Sequence, residues 1–176
     1  YSTYMLQTAG WRKMTKSFRK RINISVVCPT YNSSEYISRT LTSLVEQVDP
    51  PDEVIFCDDG SNDKTILILK QWKQCFLERG IDVFIKLNEH KGPGAARNCG
   101  VNHARYPWIS FLDSDDTWLP NKVLIVRKEI EKNPRNNFLL HWEKLVQVDG
   151  ARSDLEHGGN YRRDVSTAVQ LYKENF

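Results

Sequence analysis

The chain has 176 residues, of which 40% are hydrophobic and 27% are charged, and its formal net charge is only +3. These values are ordinary for one soluble globular domain with a full hydrophobic core. No apolar stretch approaches the length of a membrane-spanning helix, and the first residues lack the apolar core of a signal peptide, so we expect neither.

The segment before the first predicted strand is basic. It contains Arg12, Lys13, Lys16, Arg19, Lys20 and Arg21. We expect residues 1–21 to form a basic arm whose charges are either solvated or attracted to an anionic membrane surface, and we expect no nucleic acid partner. The four cysteines form no CxxC pair and are expected to be reduced. Both features suit a cytoplasmic chain, with peripheral contact at the inner face of the membrane if the arm binds lipid.

After the arm, apolar strands alternate with helices. We expect strands at residues 22–28, 53–57, 81–87 and 108–112, and helices at 36–48, 64–79, 95–100 and 121–132. A fifth strand is expected at 138–148, a polar loop at 151–163 and a last short helix at 166–172. This alternation predicts an α/β fold with a mostly parallel sheet and helices on both faces.

Turn and capping residues mark where these elements begin and end. Pro29 is expected to break the first strand, and Ser33 and Ser34 are expected to cap the following helix. Gly80 is expected to end the second helix as its C-terminal cap. The run 108–112 is expected to be a strand covered on both faces, because a short continuous apolar run is typical of such strands.

Polar groups gather where four of the predicted strands end. They are Pro29-Thr-Tyr-Asn32, Asp58-Asp-Gly-Ser61, the segment 91–98, and Asp113-Ser-Asp-Asp116. The carboxyl ends of parallel strands meet at one edge of the sheet, and ligands of such folds bind outside that edge. The four segments therefore predict one binding site.

Two of these residues suit a nucleoside. Tyr31 offers a ring face on which a base can stack, and Asp59 can accept a hydrogen bond from a base N–H or a ribose hydroxyl. Each also has a purely structural interpretation, since Tyr31 can simply pack at the strand end and residues 58–61 can be a helix-capping turn. The sequence leaves these alternatives open.

Charged residues at the other strand ends suit a diphosphate. Lys91 and Arg97 can approach phosphate oxygens beside a Gly-Pro-Gly turn, and Asp113 with Asp115 can hold Mg2+ or Mn2+ against the phosphates, because carboxylates are hard ligands. Alternatively, Arg97 pairs with an acid on the surface, and the acidic turn is a solvated loop. The histidines show no metal-binding spacing and are expected to be structural or exposed: His90, His103, His141 and His157.

Four segments resemble the successive motifs of family 2 glycosyltransferases, in matching order and spacing over about residues 22–120. They are Val27-Cys-Pro-Thr-Tyr-Asn32, Asp58-Asp-Gly-Ser-Asn-Asp63, Gly94-Ala-Ala-Arg-Asn-Cys-Gly100 and Phe111-Leu-Asp-Ser-Asp-Asp116. The resemblance implies a GT-A fold with a Rossmann-like sheet. It also implies an inverting, metal-dependent transfer of sugar from a nucleotide-diphosphate sugar, with UDP favoured, to a saccharide or lipid-linked acceptor in cell-surface polysaccharide biosynthesis.

The resemblance implies roles for single residues as well. The nucleotide-sugar-binding residues would be Pro29, Tyr31, Asp59, Arg97, Asp113 and Ser114. Within this set, Arg97 would lie near the phosphates and Asp113 on the ribose side. Asp115, the second acid of the DXD motif, would ligate Mn2+ or Mg2+, with Asp113 as the other candidate ligand.

The resemblance stops before the part of the family that binds the acceptor. Family members continue into an acceptor-binding half that supplies the catalytic base, whereas 60 of the 176 residues follow Asp116 here and none of their carboxylates stands in a matching context. We therefore name no base and expect residues 22–176 to form a nucleotide-sugar-binding domain truncated before the acceptor half. The alternative is a non-catalytic module that binds a nucleotide sugar or a partner protein.

Overall fold

The computed structural model describes residues 21–135, 137 and 139, together with 145–146 and 152–153. Its elements in chain order are β1 Ile24–Thr30, α1 Ile37–Val45, β2 Glu53–Asp58, α2 Thr65–Glu78, β3 Asp82–Leu87, α3 Pro93–His103, β4 Trp108–Phe111, α4 Lys122–Lys132, β5 Leu145–Val146 and β6 Arg152–Ser153. The last two strands pair with each other antiparallel.

The first four strands form one parallel sheet in the order β3-β2-β1-β4. In the central strand β1, Val26 lies level with Val54 of β2 on one side and with Ser110 of β4 on the other. The chain moves outward from β1 to β3 and then returns to the far side of β1, so the strand order reverses between β1 and β4. This arrangement confirms the predicted α/β class with a mostly parallel sheet.

Alternate side chains of β1 and β2 point to opposite faces, as in any pleated strand. On one face, Val26, Cys28, Val54 and Phe56 pack with residues of α1 and α2 that include Leu41, Leu44, Leu69 and Phe76. On the other face, Val27, Ile55 and Cys57 pack with Ala96 of α3. Helices therefore cover both faces of the sheet, as the sequence predicts.

Helix α3 lies very close to β1, and Gly100 permits this approach. A Cβ atom at position 100 would lie 2.3 Å from Cγ1 of Val27, which is far inside normal contact distance. Gly100 and Val27 are both buried. The missing side chain thus sets the distance between the helix that carries Arg97 and the strand that leads to Tyr31.

The prediction that Pro29 breaks the first strand is wrong, because β1 continues to Thr30. The carbonyl of Val27 accepts from the N–H of Leu112, so Val27 and, two residues later, Pro29 direct their backbone groups toward β4. β4 has already ended there, at Phe111. Proline is tolerated because the donor that it lacks would have no strand to pair with.

The prediction that the side chains of Ser33 and Ser34 cap α1 is also wrong. No side chain caps this helix. Instead, the backbone carbonyl of Ser33 accepts from the N–H groups of Tyr36 and Ile37. The predicted cap of α2 is confirmed, since Gly80 has a φ of +71° and its N–H donates to the carbonyl of Leu77.

Strand β4 is half-buried rather than covered on both faces, and Phe111 is 45% exposed. The prediction of full burial is wrong because β4 is the edge strand of the sheet as far as the structure describes it. β6 falls inside the predicted polar loop 151–163 and replaces it locally by a strand pair.

Most of 138–148, all of 166–172 and the arm up to residue 20 lie outside the described residues, so the expectations for them stay predictions. Within the part that is described, no helix combines the length and apolar character needed to cross a membrane.

Candidate functional site

The loops that follow β1 and β2 are tied to each other. Asn32 has a φ of +45°, a left-handed conformation that Asn tolerates better than most residues. Its N–H donates to Oγ of Ser61 and its Oδ1 accepts from the N–H of Asn62, both at 2.9 Å. The hydroxyl of Thr30 donates to the Asp58 carboxylate at 3.0 Å. The carboxyl ends of the two strands therefore form one connected edge.

The two adjacent acids at the end of β2 have different environments. The carboxylate of Asp58 accepts from the N–H of Ser61 at 2.8 Å and from its hydroxyl at 2.5 Å, in addition to the Thr30 hydroxyl. The hydrogen bonds of Asp58 therefore stabilise the strand end and its own turn, as expected if residues 58–61 are a structural turn. Asp59 instead faces a cleft at the edge of the sheet.

Asp59 anchors the loop between β3 and α3. Its two carboxylate oxygens accept from the N–H groups of Lys91, at 2.9 Å, and Gly92, at 2.8 Å. Burial by itself would raise the pKa of Asp59, but these hydrogen bonds and the nearby His90 lower it below its usual value. A nearly buried carboxylate, 3% exposed, thus stays ionised at neutral pH.

His90 joins Asp59 to Tyr31. Its Nδ1 lies 3.0 Å from a carboxylate oxygen of Asp59, and its ring stacks on Tyr31 with 4.4 Å between the ring centroids. The side chain of His90 is 60% exposed, which agrees with the expectation that it is structural or exposed. It also lines the cleft, a position that we did not predict. One signal in the sequence is that His90 stands in the loop that follows a strand end, directly before Lys91.

The acidic turn after β4 faces helix α3. Nη2 of Arg97 donates to both carboxylate oxygens of Asp113, at 2.6 and 2.8 Å. Their side chains are 34% and 42% exposed, so the pair lies in the cleft wall rather than in the core. Arg97 therefore does pair with an acid, and that acid is a member of the predicted site.

All seven predicted site residues meet in one cleft of about 200 Å³. They are Pro29, Tyr31, Asp59, Arg97, Asp113, Ser114 and Asp115. Thr30, His90, Pro93 and Ala96 complete the lining. The cleft lies at the carboxyl ends of β1, β2 and β4, beside the reversal of strand order, where ligands bind in open α/β sheets. The side chain of Lys91 is not among the lining groups and pairs with Glu89 at 3.1 Å.

A second hollow, of about 260 Å³, lies beside α1 and residues 118–120. Its charged lining residues are Arg39 and Glu46, and Trp118 and Pro120 form an apolar part. No strand in the described part of the chain ends there, and the hollow brings together none of the predicted site residues. We therefore place the candidate site in the cleft at the sheet edge.

The cleft fits a metal ion that arrives with its ligand. Among the described residues, no group of three or more His, Cys, Asp or Glu side chains is arranged to hold a metal. In the acidic turn, the cleft offers the carboxylates of Asp113 and Asp115 as hard oxygen ligands. Mg2+ and similar ions usually complete their coordination with phosphate oxygens and water. These residues therefore fit Mg2+ or Mn2+ bound together with a diphosphate.

The sequence of this chain is similar to those of known glycosyltransferases. The family model described as Glycosyl transferase family 2 matches residues 25–168. Among curated proteins, the poly(ribitol-phosphate) beta-glucosyltransferase of Bacillus spizizenii is 40% identical over 131 residues, which cover 73% of this chain and 20% of the relative.

Two solved structures share the architecture. TarS of S. aureus, residues 1–349 in complex with UDP, matches with a TM-score of 0.57 and 30% identity over 64% of this chain and 33% of that one. The mannosyltransferase PcManGT of Pyrobaculum calidifontis, in complex with GDP-Man and Mn2+, matches with a TM-score of 0.53 and 26% identity over 60% of this chain and 31% of that one. These likenesses confirm the expected GT-A fold.

The chain spans only a fifth to a third of the length of these three proteins. Within that span, the family match runs from the start of β1 past the acidic turn and includes every residue that lines the cleft. The chain belongs to the family 2 glycosyltransferases.

Proposed function

We propose that this chain binds a nucleotide-sugar donor, preferably a UDP-sugar, and forms the donor-binding part of an inverting, metal-dependent glycosyltransferase. The observation that carries the proposal is the convergence of seven predicted residues on one cleft at the strand-order reversal. Two comparisons support it: TarS has been solved with UDP, and the Bacillus relative is named for transfer of glucose to poly(ribitol-phosphate). We further propose that the acceptor is a saccharide or a lipid-linked saccharide of cell-surface polysaccharide synthesis, in line with the name of the Bacillus relative.

The nucleoside would lie against Tyr31 and Asp59, with Pro29 beside them. Because His90 covers one face of Tyr31, a base would stack on the other face or displace the imidazole. The described contacts of Asp59 Oδ1 consist of one hydrogen bond, from the N–H of Lys91. A carboxylate oxygen can accept two, so Oδ1 can also receive a base N–H or a ribose hydroxyl.

The diphosphate would lie between Arg97 and the acidic turn that contains Ser114. The guanidinium is a permanent cation with several donors, and its pair with Asp113 uses Nη2 alone. A bound Mg2+ or Mn2+, held by Asp115 with Asp113 as a second ligand, would neutralise charge on the departing diphosphate. Arg97 and the turn would hold the phosphates in place for that departure.

The acceptor side of the reaction has no assigned residue. An inverting transfer needs a base to deprotonate the acceptor hydroxyl, and we assign none to this chain. We propose that residues 22–176 serve as the donor-binding domain of the reaction. The alternative is a non-catalytic module that binds a nucleotide sugar.

Isothermal titration calorimetry on the 176-residue chain tests the donor assignment. UDP-glucose, UDP-GlcNAc and GDP-mannose are titrated with Mn2+, with Mg2+ and with a chelator. We expect the UDP-sugars to bind more tightly than GDP-mannose, and only weakly once the cation is removed. If no nucleotide binds at millimolar concentration, the donor assignment is wrong and a partner-binding module becomes the better description.

A matched pair of variants tests the metal residue. Asp115→Asn and Asp116→Asn remove the same charge from the same turn, but only Asp115 lines the cleft. We expect Asp115→Asn to abolish the cation-dependent part of UDP binding and Asp116→Asn to keep it. Equal behaviour of the two variants would refute the assignment of Asp115.

We also propose that the basic arm, residues 1–21, places the protein at the cytoplasmic face of a membrane. The support is its six basic residues in a chain with a net charge of only +3. Each Lys or Arg near an anionic leaflet contributes roughly 1 kcal/mol of attraction.

A further inference from the structure

The acidic turn and the loop after it, residues 112–121, contain no helix or strand, so other parts of the chain must hold them in place. The structure shows that this is done by polar side chains from residues 33–47. Two of the residues that carry a hydroxyl, Ser33 and, in α1, Thr40, are fully buried, with 0% exposure. Thr40 makes the contact nearest to Asp115. Its Oγ1 lies 2.8 Å from the carbonyl of Ser114 and 2.8 Å from the carbonyl of Asp116.

These two carbonyls flank Asp115 on either side. One hydroxyl hydrogen is shared between them, since a threonine hydroxyl has a single donor. The contact therefore fixes the backbone immediately before and immediately after the acid that we assign to the metal. No other side chain among the described contacts bonds to both neighbours of Asp115.

Ser33 adds a second contact to the same turn. Its hydroxyl lies 2.8 Å from the hydroxyl of Ser114 and 3.2 Å from the carbonyl of Tyr31. The serine expected to cap α1 thus joins the nucleoside side of the cleft to the acidic turn. This use of its hydroxyl explains why the backbone carbonyl, and not the side chain, receives the first N–H groups of the helix.

Further along, two more side chains hold the rest of the loop. The hydroxyl of Ser43 accepts from the N–H of Trp118 at 3.1 Å. The buried amide of Gln47 donates to the carbonyl of Leu119 at 2.9 Å and accepts from the N–H of Val123 at 3.1 Å. These contacts lie farther along the chain from Asp115 and hold the later part of the loop. Thr40, in contrast, bonds to the residues directly before and after Asp115.

We propose that Thr40 is a positioning residue that holds Asp115 in its metal-binding place. It touches neither substrate nor metal, and acts only through the backbone of the acidic turn. The proposal rests on the proposed function, because it assumes that Asp115 serves a cation bound with a nucleotide. A simple packing role would predict that losing the hydroxyl weakens the fold as a whole, rather than the turn in particular.

Three variants separate these roles. Thr40→Val keeps the shape and removes the hydroxyl, and Thr40→Ser keeps the hydroxyl and removes the methyl group. Thr42→Val is the matched control, since Thr42 lies on the same helix and its hydroxyl bonds only to the carbonyl of Ser38 among the described contacts. Each variant is compared with the parent chain, first without any ligand.

Amide hydrogen exchange in the free protein gives the first measurement. We expect Thr40→Val to speed exchange of residues 113–118 about five- to thirtyfold relative to β1 and β2, the range for one or two lost hydrogen bonds. Thr40→Ser and Thr42→Val should resemble the parent. A uniform rise in exchange across the sheet, or no rise in the turn, would overturn the proposal.

Calorimetry gives the second measurement, with UDP and Mn2+ as the probes. We expect Thr40→Val to raise the half-saturating Mn2+ concentration at fixed UDP by roughly five- to thirtyfold, since the competent turn is then less populated. UDP binding in chelator should change less than twofold. If the parent itself shows no cation-dependent UDP binding, the proposed function fails, while the exchange experiment still decides whether Thr40 orders the turn. Parent-like Mn2+ dependence of Thr40→Val would overturn the positioning role itself.

Discussion

The imidazole of His90 lies against the ring of Tyr31, with 4.4 Å between the ring centroids and 27° between the ring planes. Tyr31 is 44% exposed, and this stack restrains its ring at the cleft. A stacked aromatic pair contributes about 0.5–1.5 kcal/mol beyond the area that it buries. The second ring face is therefore oriented before a ligand arrives, which lowers the entropic cost of binding a base.

Replacing Tyr31 should weaken nucleotide binding without unfolding the protein. We expect Tyr31→Ala to lose roughly 1–3 kcal/mol of UDP binding, the usual range for one base stack. Tyr31→Phe, which keeps the ring and loses the hydroxyl, should bind almost as the parent does. Ligand-dependent thermal unfolding measures both, since UDP stabilises only the variants that bind it. Equal protection of Tyr31→Ala and the parent would leave Tyr31 with a packing role.

Gly100 should tolerate no side chain. In Gly100→Ala, the new methyl group would overlap Cγ1 of Val27, so either α3 or β1 must shift. We expect a loss of about 1–3 kcal/mol in the free energy of unfolding, as for other overpacked cores. Gly94→Ala is the matched control, because it lies in the same helix with nothing within 4 Å of its added Cβ. The midpoint of urea unfolding should therefore fall in Gly100→Ala and should not fall in Gly94→Ala. Equal midpoints in the two variants would contradict the close approach of α3 to β1.

Asp63 should give the protein an acid-sensitive contribution to stability. Burial by itself would raise its pKa, but hydrogen bonds from Thr65 and Ser34 lower the pKa of Asp63 from 3.8 to about 2. The folded state thus favours the ionised form, and its contribution is full above pH 4 and is lost as the pH falls toward 2.

The variant Asp63→Ala makes this contribution measurable. At pH 7 we expect it to cost about 1 kcal/mol in the free energy of unfolding, typical for a side chain that bonds the first turn of a helix. The difference between variant and parent should shrink between pH 4 and pH 2, because the parent then loses the same charge. A cost that does not change with pH would contradict the lowered pKa.

The basic arm should bind acidic lipid if it has a function of its own. We expect the chain to sediment with phosphatidylserine vesicles at low salt and to be released as the salt concentration rises, since exposed charges are screened. Neutralising Arg19 and Lys20 together should weaken binding further, whereas Arg21 is kept because it pairs with Asp49 at 3.1 Å. A failure to sediment at low ionic strength would leave the arm as solvated surface.

The alternation of strands and helices and the position of the cleft could be predicted from the sequence because their signals are local. Buried strands such as β2 end in polar turns, and parallel strands bring those turns to one edge. The separate roles of Asp58 and Asp59 could not be predicted, because they depend on which carboxylate meets Ser61 and which meets the loop at Gly92. The partner of each carboxylate depends on how loops that are distant in sequence lie against each other. A single sequence gives no direct signal of that geometry.

The wrong predictions have the same origin. Proline was expected to end β1 because it lacks a donor, but whether a donor is needed depends on where the neighbouring strand stops. Ser33 was expected to cap α1, but its hydroxyl has a better partner in Ser114, which is 81 residues away. The contacts of His90 with Tyr31 and Asp59 could not be predicted either, because these partners come from two other loops. In each case the outcome depends on a part of the chain that is distant in sequence.

The last prediction concerns catalysis, and it follows from the assignment of a donor site without a base. Transfer requires an acceptor hydroxyl that is deprotonated and aligned on the face opposite the departing diphosphate, and alignment supplies much of the rate. We expect the 176-residue chain to bind UDP-sugar and Mn2+ but to transfer sugar slowly, if at all, to saccharide acceptors. Slow hydrolysis should remain, because water can attack the sugar carbon from solvent while the cation assists release of UDP.

Release of UDP with and without acceptor measures the two reactions in one assay, and a reaction without protein supplies the background. Hydrolysis that falls to this background in Asp115→Asn would support the donor site, while acceptor should change the parent rate by less than twofold. Rapid acceptor-dependent turnover would show instead that a base lies among residues 117–176. The carboxylates to replace first would then be Asp149, Asp154, Glu156 and Asp164, and the one whose loss abolishes transfer but preserves UDP binding would be that base.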